Sequence, residues 1–390
     1  MITYEDALKI VLDNAPHSGT GRISFSASAG RVLAEDVFSD INMPPFNRSA
    51  VDGFACRSAD LGSVLEVIET VRAGVYPQKK LIPGQCTGIM TGAPVPEGAD
   101  CVVMVEETEE VAPGRIRFTG VKTKTNISPF AEDVREGDRV LQAGIMLRPQ
   151  HIAILAAAGH VHPLVAEKPS VAVISTGDEI VEPERKPGIS QIRNSNGSQL
   201  TAQAVRAGAN AAYMGIAPDN EKATLQMIEK ALEQSDVVLL TGGVSLGKYD
   251  FVPAVMEKAG IGILFRTIAL QPGKPTIFGT TGKKRVFGLP GNPVSSFTLF
   301  EILVKPMLWK MMGMMEPVCN MKLTLGVDYE RRRTDRMQWL PVQIRDGRVF
   351  PLEYHGSAHI FSLAGASALA AIPLGINKLT AGDTVDVRPL

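Results

Sequence analysis

Four cysteines in 390 residues, Cys56, Cys86, Cys101 and Cys319, show no close paired spacing. That excludes a zinc knuckle and a disulfide-stapled secreted fold, and it reads as reduced thiols in a cytoplasmic protein. An excess of one charge is also missing: 40 Lys plus Arg stand against 41 Asp plus Glu, for a net charge of −1. No overall field favours nucleic acid or an anionic membrane, so any anion site must be local. Long apolar runs are absent; the most apolar stretches, such as residues 152–158, are too short to span a bilayer. The opening residues, Met1-Ile-Thr-Tyr-Glu-Asp, place no basic region ahead of an apolar run, so a signal peptide is not expected. No Ser/His/acid triad spacing, Walker loop or paired metal-His motif occurs. His355 and His359 are four apart, but Gly356 argues against a helix there, and they read as ordinary histidines.

What the chain has is length and turns. At 390 residues it exceeds one ordinary core, and 37 Gly and 26 Pro imply many exposed loops. Thr3 caps an expected first helix with Glu5 and Asp6 in its first turn and Leu8, Val11 and Leu12 on its apolar face. From Val51 to Val140, short apolar runs broken by Gly, Pro and charge suit a small β-barrel or β-rich lobe. A compact apolar helix over residues 151–159 could pack back on the first helix. From Lys168 the rhythm changes. Strands at 170–175, 211–216 and 237–240 alternate with helices at 199–207 and 220–234, which predicts a parallel sheet with crossover helices. After Pro317 the text is β-like to Leu390.

Polar residues crowd several Gly and Pro turns. Asp52 precedes Gly53, and Thr91 opens Thr91-Gly-Ala-Pro-Val-Pro; by themselves these read as turn residues. Thr176-Gly-Asp178-Glu179 puts two acids at a strand end, where they can hold a divalent cation or cap a helix. Thr241-Gly-Gly-Val-Ser-Leu-Gly-Lys248-Tyr-Asp250 is a Gly-rich loop after a strand, whose backbone N–H groups and lysine suit a phosphate, or which is a plain strand-to-helix turn. Gln271-Pro-Gly-Lys274-Pro-Thr and Leu289-Pro-Gly-Asn-Pro-Val-Ser295-Ser stiffen the backbone with prolines and leave a Gly amide accessible. Ser295 and Ser296 are expected at a helix N-terminus, as cap, anion contact or both.

Taken in order, these clusters resemble the MoeA/gephyrin E-domain family of molybdenum insertases. The matching text is Asn47-Arg-Ser-Ala-Val-Asp-Gly-Phe-Ala, Ile89-Met-Thr-Gly-Ala-Pro-Val-Pro-Glu-Gly-Ala-Asp, Ser175-Thr-Gly-Asp-Glu, Thr241-Gly-Gly-Val-Ser-Leu-Gly, Pro272-Gly-Lys-Pro and Leu289-Pro-Gly-Asn-Pro-Val-Ser. The resemblance implies a multidomain α+β protomer. An elongated N-terminal domain (1–41 and 137–167) carries an inserted β-rich lobe (42–136), followed by a MogA-like α/β molybdopterin-binding domain (168–316) and a C-terminal β-barrel (317–390). It further implies a cytoplasmic homodimer that inserts molybdenum from molybdate into adenylylated molybdopterin with release of AMP, assisted by Mg2+. A MogA-type adenylyltransferase is an implied partner; nucleic acid and membrane are not. Carried over by position, Asp52, Thr91, Glu179, Asp219 and Asp250 are catalytic, with Glu179, Asp219 and Asp250 toward the cation. Gly242, Gly243, Ser245, Lys248, Pro290 and Asn292 face the pterin and its phosphate. Lys274, Pro275, Ser295, Arg336 and Ser357 face molybdate, and Asp133 matches the acid of a Gly-Glu-Asp motif whose Gly is Ala131 here.

The chain departs from the family pattern at three points. Gln271 replaces the first lysine of Lys-Pro-Gly-Lys-Pro, Thr267 stands where some members carry Lys, and Pro341 replaces a second arginine expected after Arg336. Two other readings compete. The preceding adenylyltransferase typically has Thr-Gly-Gly-Thr-Gly where this chain has Thr241-Gly-Gly-Val-Ser, and it leaves the flanking β domains unexplained. A gephyrin-like scaffold would bring an added linker or partner domain, and nothing in the text resembles one.

Overall fold

The computed structural model describes residues 1–244, 251–316, 318, 320–353 and 356–390. The chain forms two compact units, one of Met1–Glu35, Gly144–Arg148 and Pro163–Leu390, the other of Asp36–Ala143 and Pro149–His162.

The first helix, α1 (Tyr4–Asp13), begins as expected: the Thr3 side chain accepts from the Asp6 amide. Its buried face is Tyr4, Ala7 and Val11, with Leu8 only partly buried. These residues join a core with Leu303, Met307, Leu308 and Met311, so α1 spends its apolar face on the α/β part of its own unit.

The second unit is built on one sheet. Its strands are β1 (Gly53–Cys56), β2 (Val64–Val71), β3 (Gln85–Ile89), β4 (Cys101–Met104), β5 (Thr108–Ala112) and β6 (Arg115–Phe118). They lie in the order β4-β1-β3-β2-β6-β5, and no pairing closes this sheet among the described residues. The β-rich reading therefore holds and the barrel alternative does not. Gly53 is required where β1 meets β4, since a Cβ there would stand 1.8 Å from the Val103 carbonyl oxygen. The apolar helix α2 (Pro149–Ala157) belongs to this unit and buries Leu155.

In the first unit the elements in chain order are β7 (Ser170–Thr176), α3 (Ser195–Arg206), β8 (Asn210–Ala217), α4 (Glu221–Gln234), β9 (Val237–Thr241), α5 (Val252–Lys258), β10 (Gly262–Thr267), β11 (Leu270–Gln271), β12 (Pro275–Thr281), β13 (Lys284–Leu289), α6 (Pro293–Leu299) and α7 (Lys305–Met311). The sheet order is β8-β7-β9-β13-β12-β10. The first four strands are parallel, as expected; β12 pairs antiparallel with β13, and β10 pairs antiparallel with β12 and so points the same way as the first four. The sequence reading took residues 271–276 as a proline-stiffened loop, yet Pro275 already opens β12, in a hairpin that packing imposes. Strand alternation sorts side chains into two layers. Val171, Val173, Val237, Leu239 and Phe287 face α1, α3 and the 299–311 helical run, while Ala172, Ile174, Val238, Leu240 and Val286 face α4 and α5. Helix α3 starts at Ser195, earlier than the 199 expected, because the Asn194 side chain caps it by accepting from the Gly197 amide at 3.1 Å.

The C-terminal strands are β14 (Met321–Leu325), β15 (Met337–Arg345), β16 (Arg348–Pro351), β17 (Ala368–Ile372) and β18 (Thr384–Pro389). They close a five-stranded barrel, β15-β16-β14-β18-β17 and back to β15, around Leu325, Leu340, Val342, Val349, Ala370 and Val387. The start of β15 also pairs in parallel with β11, Leu270 opposite Met337 and Gln271 opposite Gln338, so one strand belongs to the barrel and reaches the α/β domain.

Candidate functional site

Three sets of sequence-selected residues come together, one in the β unit and two in the other, and they are described separately. In the β unit the turn before β1 and the turn after β3 meet. The Thr91 amide and hydroxyl both donate to Asp52 Oδ1, at 2.6 and 2.8 Å. The backbones lock alongside: the Gly92 amide donates to the Ser49 carbonyl and the Ser49 amide to Ala93. Those two bonds, the backbone one first, hold the Asp52 carboxyl below the usual carboxylate range. Asp52 is therefore an exposed, ionised acceptor with one oxygen committed to Thr91. Asp133 lies in the same unit, exposed, its amide on the Met43 carbonyl.

In the α/β domain, glycines gather at the carboxyl ends of the parallel strands, where ligand sites of such sheets form. Gly177 follows β7, Gly242 and Gly243 follow β9, and Gly291 follows β13. Gly242 has φ +98°, and a Cβ on it would stand 2.5 Å from the Thr176 carbonyl oxygen. Gly291 differs, since among the described residues a Cβ there would meet only Gly242 Cα, at 3.6 Å, an ordinary contact distance.

The acids sit on the same edge. Asp178, Glu179 and Asp219 are all exposed. The Asp219 amide donates to Asp178 Oδ1 at 3.1 Å, and the Asp178 amide to Asp219 Oδ2 at 3.4 Å. This exchange ties the ends of β7 and β8. Glu179 folds back so that its Oε2 lies 2.4 Å from where a Gly177 Cβ would be. An all-carboxylate oxygen set of this kind has the donor chemistry of a hard divalent cation. Among the described residues, no three His, Cys, Asp or Glu side chains stand close enough to hold a metal. Asp250, with Ser245 and Lys248, lies outside the described residues.

A third group lies where the α/β domain meets the barrel. Asn292, not Ser295, is the N-cap position of α6; Ser295 is buried in the first turn, its amide donating to the Asn292 carbonyl at 3.0 Å. The capping alternative for Ser295 is thereby set aside, because Pro293 occupies the first helical position two residues earlier. Asn292 Nδ2 donates to Ser357 Oγ at 2.8 Å, and the Val294 amide donates to the Ser357 carbonyl at 3.0 Å. Lys274 is half-buried just before Pro275 opens β12, and its carbonyl accepts from Ile268. In the parallel β11–β15 pairing, Arg336, the residue preceding β15, falls beside Ala269, and the Gln271-Pro-Gly-Lys-Pro loop begins where Gln271 pairs with Gln338. The Arg336 side chain is 20% exposed, and its Nε has no hydrogen-bond partner, with Asp335 3.4 Å away as its ion pair. Pro341 is buried inside β15 opposite Leu369, so the position of the missing arginine belongs to the barrel wall.

The sequence reading missed Asn196. Its Nδ2 donates to Thr241 Oγ1 and to the Gly291 carbonyl, both at 2.8 Å, and its Oδ1 accepts from Ser296 Oγ at 3.3 Å. Thr241 Oγ1 passes on to the Pro290 carbonyl at 3.2 Å. One buried amide thus ties α3, the β9 loop, the Pro290–Gly291 turn and α6. Beside it, Ser175, Asn194, Tyr213 and Glu182 form a chain of hydrogen bonds, and burial, with Glu182 next, pushes the Tyr213 hydroxyl pKa up.

Comparison with known proteins matches all three regions. The MoeA N-terminal region (domain I and II) covers residues 2–159, a probable molybdopterin binding domain covers 172–310, and the MoeA C-terminal region (domain IV) covers 322–390. The chain belongs to the MoeA family. It is 35% identical to the molybdopterin molybdenumtransferase of Staphylococcus epidermidis over 401 residues, spanning 99% of this chain and 95% of that protein. Against the Bacillus subtilis molybdopterin molybdenumtransferase it is 34% identical over 404 residues, 99% of this chain and 93% of the relative. The crystal structure of the MoeA protein of Pyrococcus horikoshii superposes with a TM-score of 0.86 at 31% identity, covering 100% of both chains. Membership in the MoeA family also accounts for the flanking β regions, which a lone adenylyltransferase domain leaves unexplained. No helix among the described residues is long and apolar enough to cross a membrane.

Proposed function

We propose that this chain is a molybdopterin molybdenumtransferase that takes molybdate and adenylylated molybdopterin and returns molybdenum cofactor and AMP. The observation that carries the reading is the match of three family regions, over residues 2–159, 172–310 and 322–390, laid over the strand-end glycine cradle. In this reading Gly242, Gly243, Ser245, Lys248, Pro290 and Asn292 take the pterin and its phosphate. Lys274, Pro275, Ser295, Arg336 and Ser357 take molybdate, a dianion that needs fixed cations and O–H or N–H donors. Arg336 suits this role because its Nε is buried with hydrogen-bonding capacity unspent.

Asp52 acts as an acceptor oriented by the two donors of Thr91, and Glu179, Asp219 and Asp250 would hold Mg2+. That cation would neutralise charge on the adenylate phosphates. The acids themselves keep the strand ends in register through the Asp178–Asp219 exchange. The proposed assembly is a cytoplasmic homodimer, receiving its adenylylated substrate from a MogA-type enzyme. Light scattering that shows a monomer at working concentration removes the dimer from this reading.

The test of function is product analysis. Purified protein should release AMP from adenylylated molybdopterin in a molybdate-dependent way and should not consume ATP with free molybdopterin, the adenylyltransferase outcome. Lys274→Ala should sharply weaken molybdate use with little change in pterin binding, and Gln271→Lys should lower the molybdate needed for half-maximal insertion, both at fixed ionic strength. An unchanged molybdate dependence in Lys274→Ala puts the anion site elsewhere.

A further inference from the structure

The three described cysteines, scattered in sequence, fall on one line across the β unit. Cys56, the last residue of β1, lies opposite Cys101, the first residue of β4, on one side and opposite Cys86 of β3 on the other. All three are free thiols in one core cluster with Leu65, Val103, Ile116 and Phe118. Cys56 Sγ and Cys101 Sγ stand 3.6 Å apart, and Cys101 Sγ is also 3.6 Å from the Cys56 carbonyl oxygen. We propose that Cys56 and Cys101 are a modification site: a thiol pair that small-molecule disulfides and equivalent two-electron oxidants convert to a cross-strand disulfide, leaving Cys86 as a thiol.

Either thiol can donate in the Sγ–Sγ contact, and Cys101 Sγ can also donate to the Cys56 carbonyl; burial raises the Cys56 pKa. Asp100, adjacent to Cys101, works against its ionisation. Cys86 is pushed up to about 12 by burial and takes no part in that bond. Either cysteine, once its proton has left to solvent, attacks one sulfur of the oxidant RSSR and expels RS−, giving a mixed disulfide. The other then yields its proton to the departing thiolate and displaces the second RS−. The protein loses two electrons and two protons, and RSSR leaves as two RSH. Both cysteines are strand-terminal, so opening of the sheet end exposes them without global unfolding.

The bond would close a 45-residue separation between neighbouring strands. It would bear on function by position, because β1 begins directly after Asp52, and the Val105 amide just past β4 donates to the Asp52 carbonyl at 3.2 Å. The disulfide clamps the far end of the strand pair whose near end carries the acid.

The experiment treats the folded full-length protein with oxidised glutathione or diamide, counts thiols after denaturation, and maps linkages by non-reducing peptide mass spectrometry. Of the four thiols two should disappear, and the bridged peptides should contain Cys56 and Cys101. Thermal unfolding of the β unit should move up by several degrees, reversed by dithiothreitol, as expected for closing a loop of this length. Cys86→Ser should keep the linkage, and Cys101→Ser should abolish it. Four thiols surviving treatment of the unmutated protein, or a linkage that maps to Cys86 or Cys319, overturns the proposal without reliance on any variant's folding.

Discussion

Replacing Asn196 by alanine should loosen three loops at once. Asn196 is 8% exposed and makes three bonds, two at 2.8 Å from its amide nitrogen and one at 3.3 Å to its carbonyl oxygen. The Thr241 and Ser296 hydroxyls each keep a second partner, the Pro290 and Pro293 carbonyls, whereas among the described residues the Gly291 carbonyl accepts from Asn196 alone. At about 1 kcal/mol net per buried neutral bond, with partial rescue of the two hydroxyls, Asn196→Ala should cost about 2–3 kcal/mol. The only tryptophans, Trp309 and Trp339, lie in the same unit, so their fluorescence in a urea titration reads this unit. If about 1 kcal/mol of that falls on the bound loop geometry, roughly fivefold more adenylylated pterin is needed for half-saturation. Asn196→Asp is the sharper control. It keeps the shape but turns an acceptor toward the Gly291 carbonyl and toward a Thr241 oxygen whose proton is already spent on Pro290, so it should be at least as damaging. A stability loss under about 0.5 kcal/mol in both variants, with unchanged half-saturation, would refute the tether.

Thr91→Val removes one of two donors to Asp52, so the Asp52 pKa should rise toward the ordinary carboxylate range without reaching it, since the backbone donor stays; carboxyl NMR titration reads this. Because the folded pKa is depressed, the stabilisation from this pair is present above the unfolded carboxylate pKa and is lost as pH falls through the folded one, and the variant should flatten that acid limb. Gly291→Ala should fold normally, its new methyl meeting, among the described residues, only Gly242 Cα at 3.6 Å, yet weaken pterin binding by filling the cradle; normal binding would move the pterin elsewhere. Glu301 is fully buried, bonded to Arg206, Lys305 and Gln203, so Glu301→Leu should destabilise by about 3–5 kcal/mol in chemical denaturation, and adding Lys305→Met should recover part of it.

Much of this was legible because it is local. The Thr3 cap, the β7 and β9 runs and the glycine turns after them announce themselves within a few residues, and the motif order sufficed for the family. What was not legible depends on partners far away in the chain. Asn194 sits in a recognisable cap position, but nothing near Asn196 shows that Thr241, Gly291 and Ser296 will converge on it. The β12–β13 hairpin hides behind Pro272 and Pro275, whose usual reading is a loop. The cysteines are 30 and 15 residues apart (86 − 56 and 101 − 86), with no motif spacing, and only strand register aligns them. Ser295 was misjudged as a possible cap because Pro293 and Ser295 both favour helix starts and proline took the first position.

The two-residue pairing of β11 with β15 has a dynamic consequence. The Met337 amide donates to the Ala269 carbonyl at 2.9 Å, and Met337 and Gln338 continue without a break into the closed barrel. A barrel has no free edge from which to unzip. The segment before Lys274 is therefore spliced into the most fray-resistant kind of sheet, and native-state hydrogen exchange at the Met337 amide should be slow, tracking barrel opening more closely than loop motion. A lysine loop anchored this way acts as a fixed electrode; under the proposed molybdate role it would hold its charge in place between turnovers and not search for its anion.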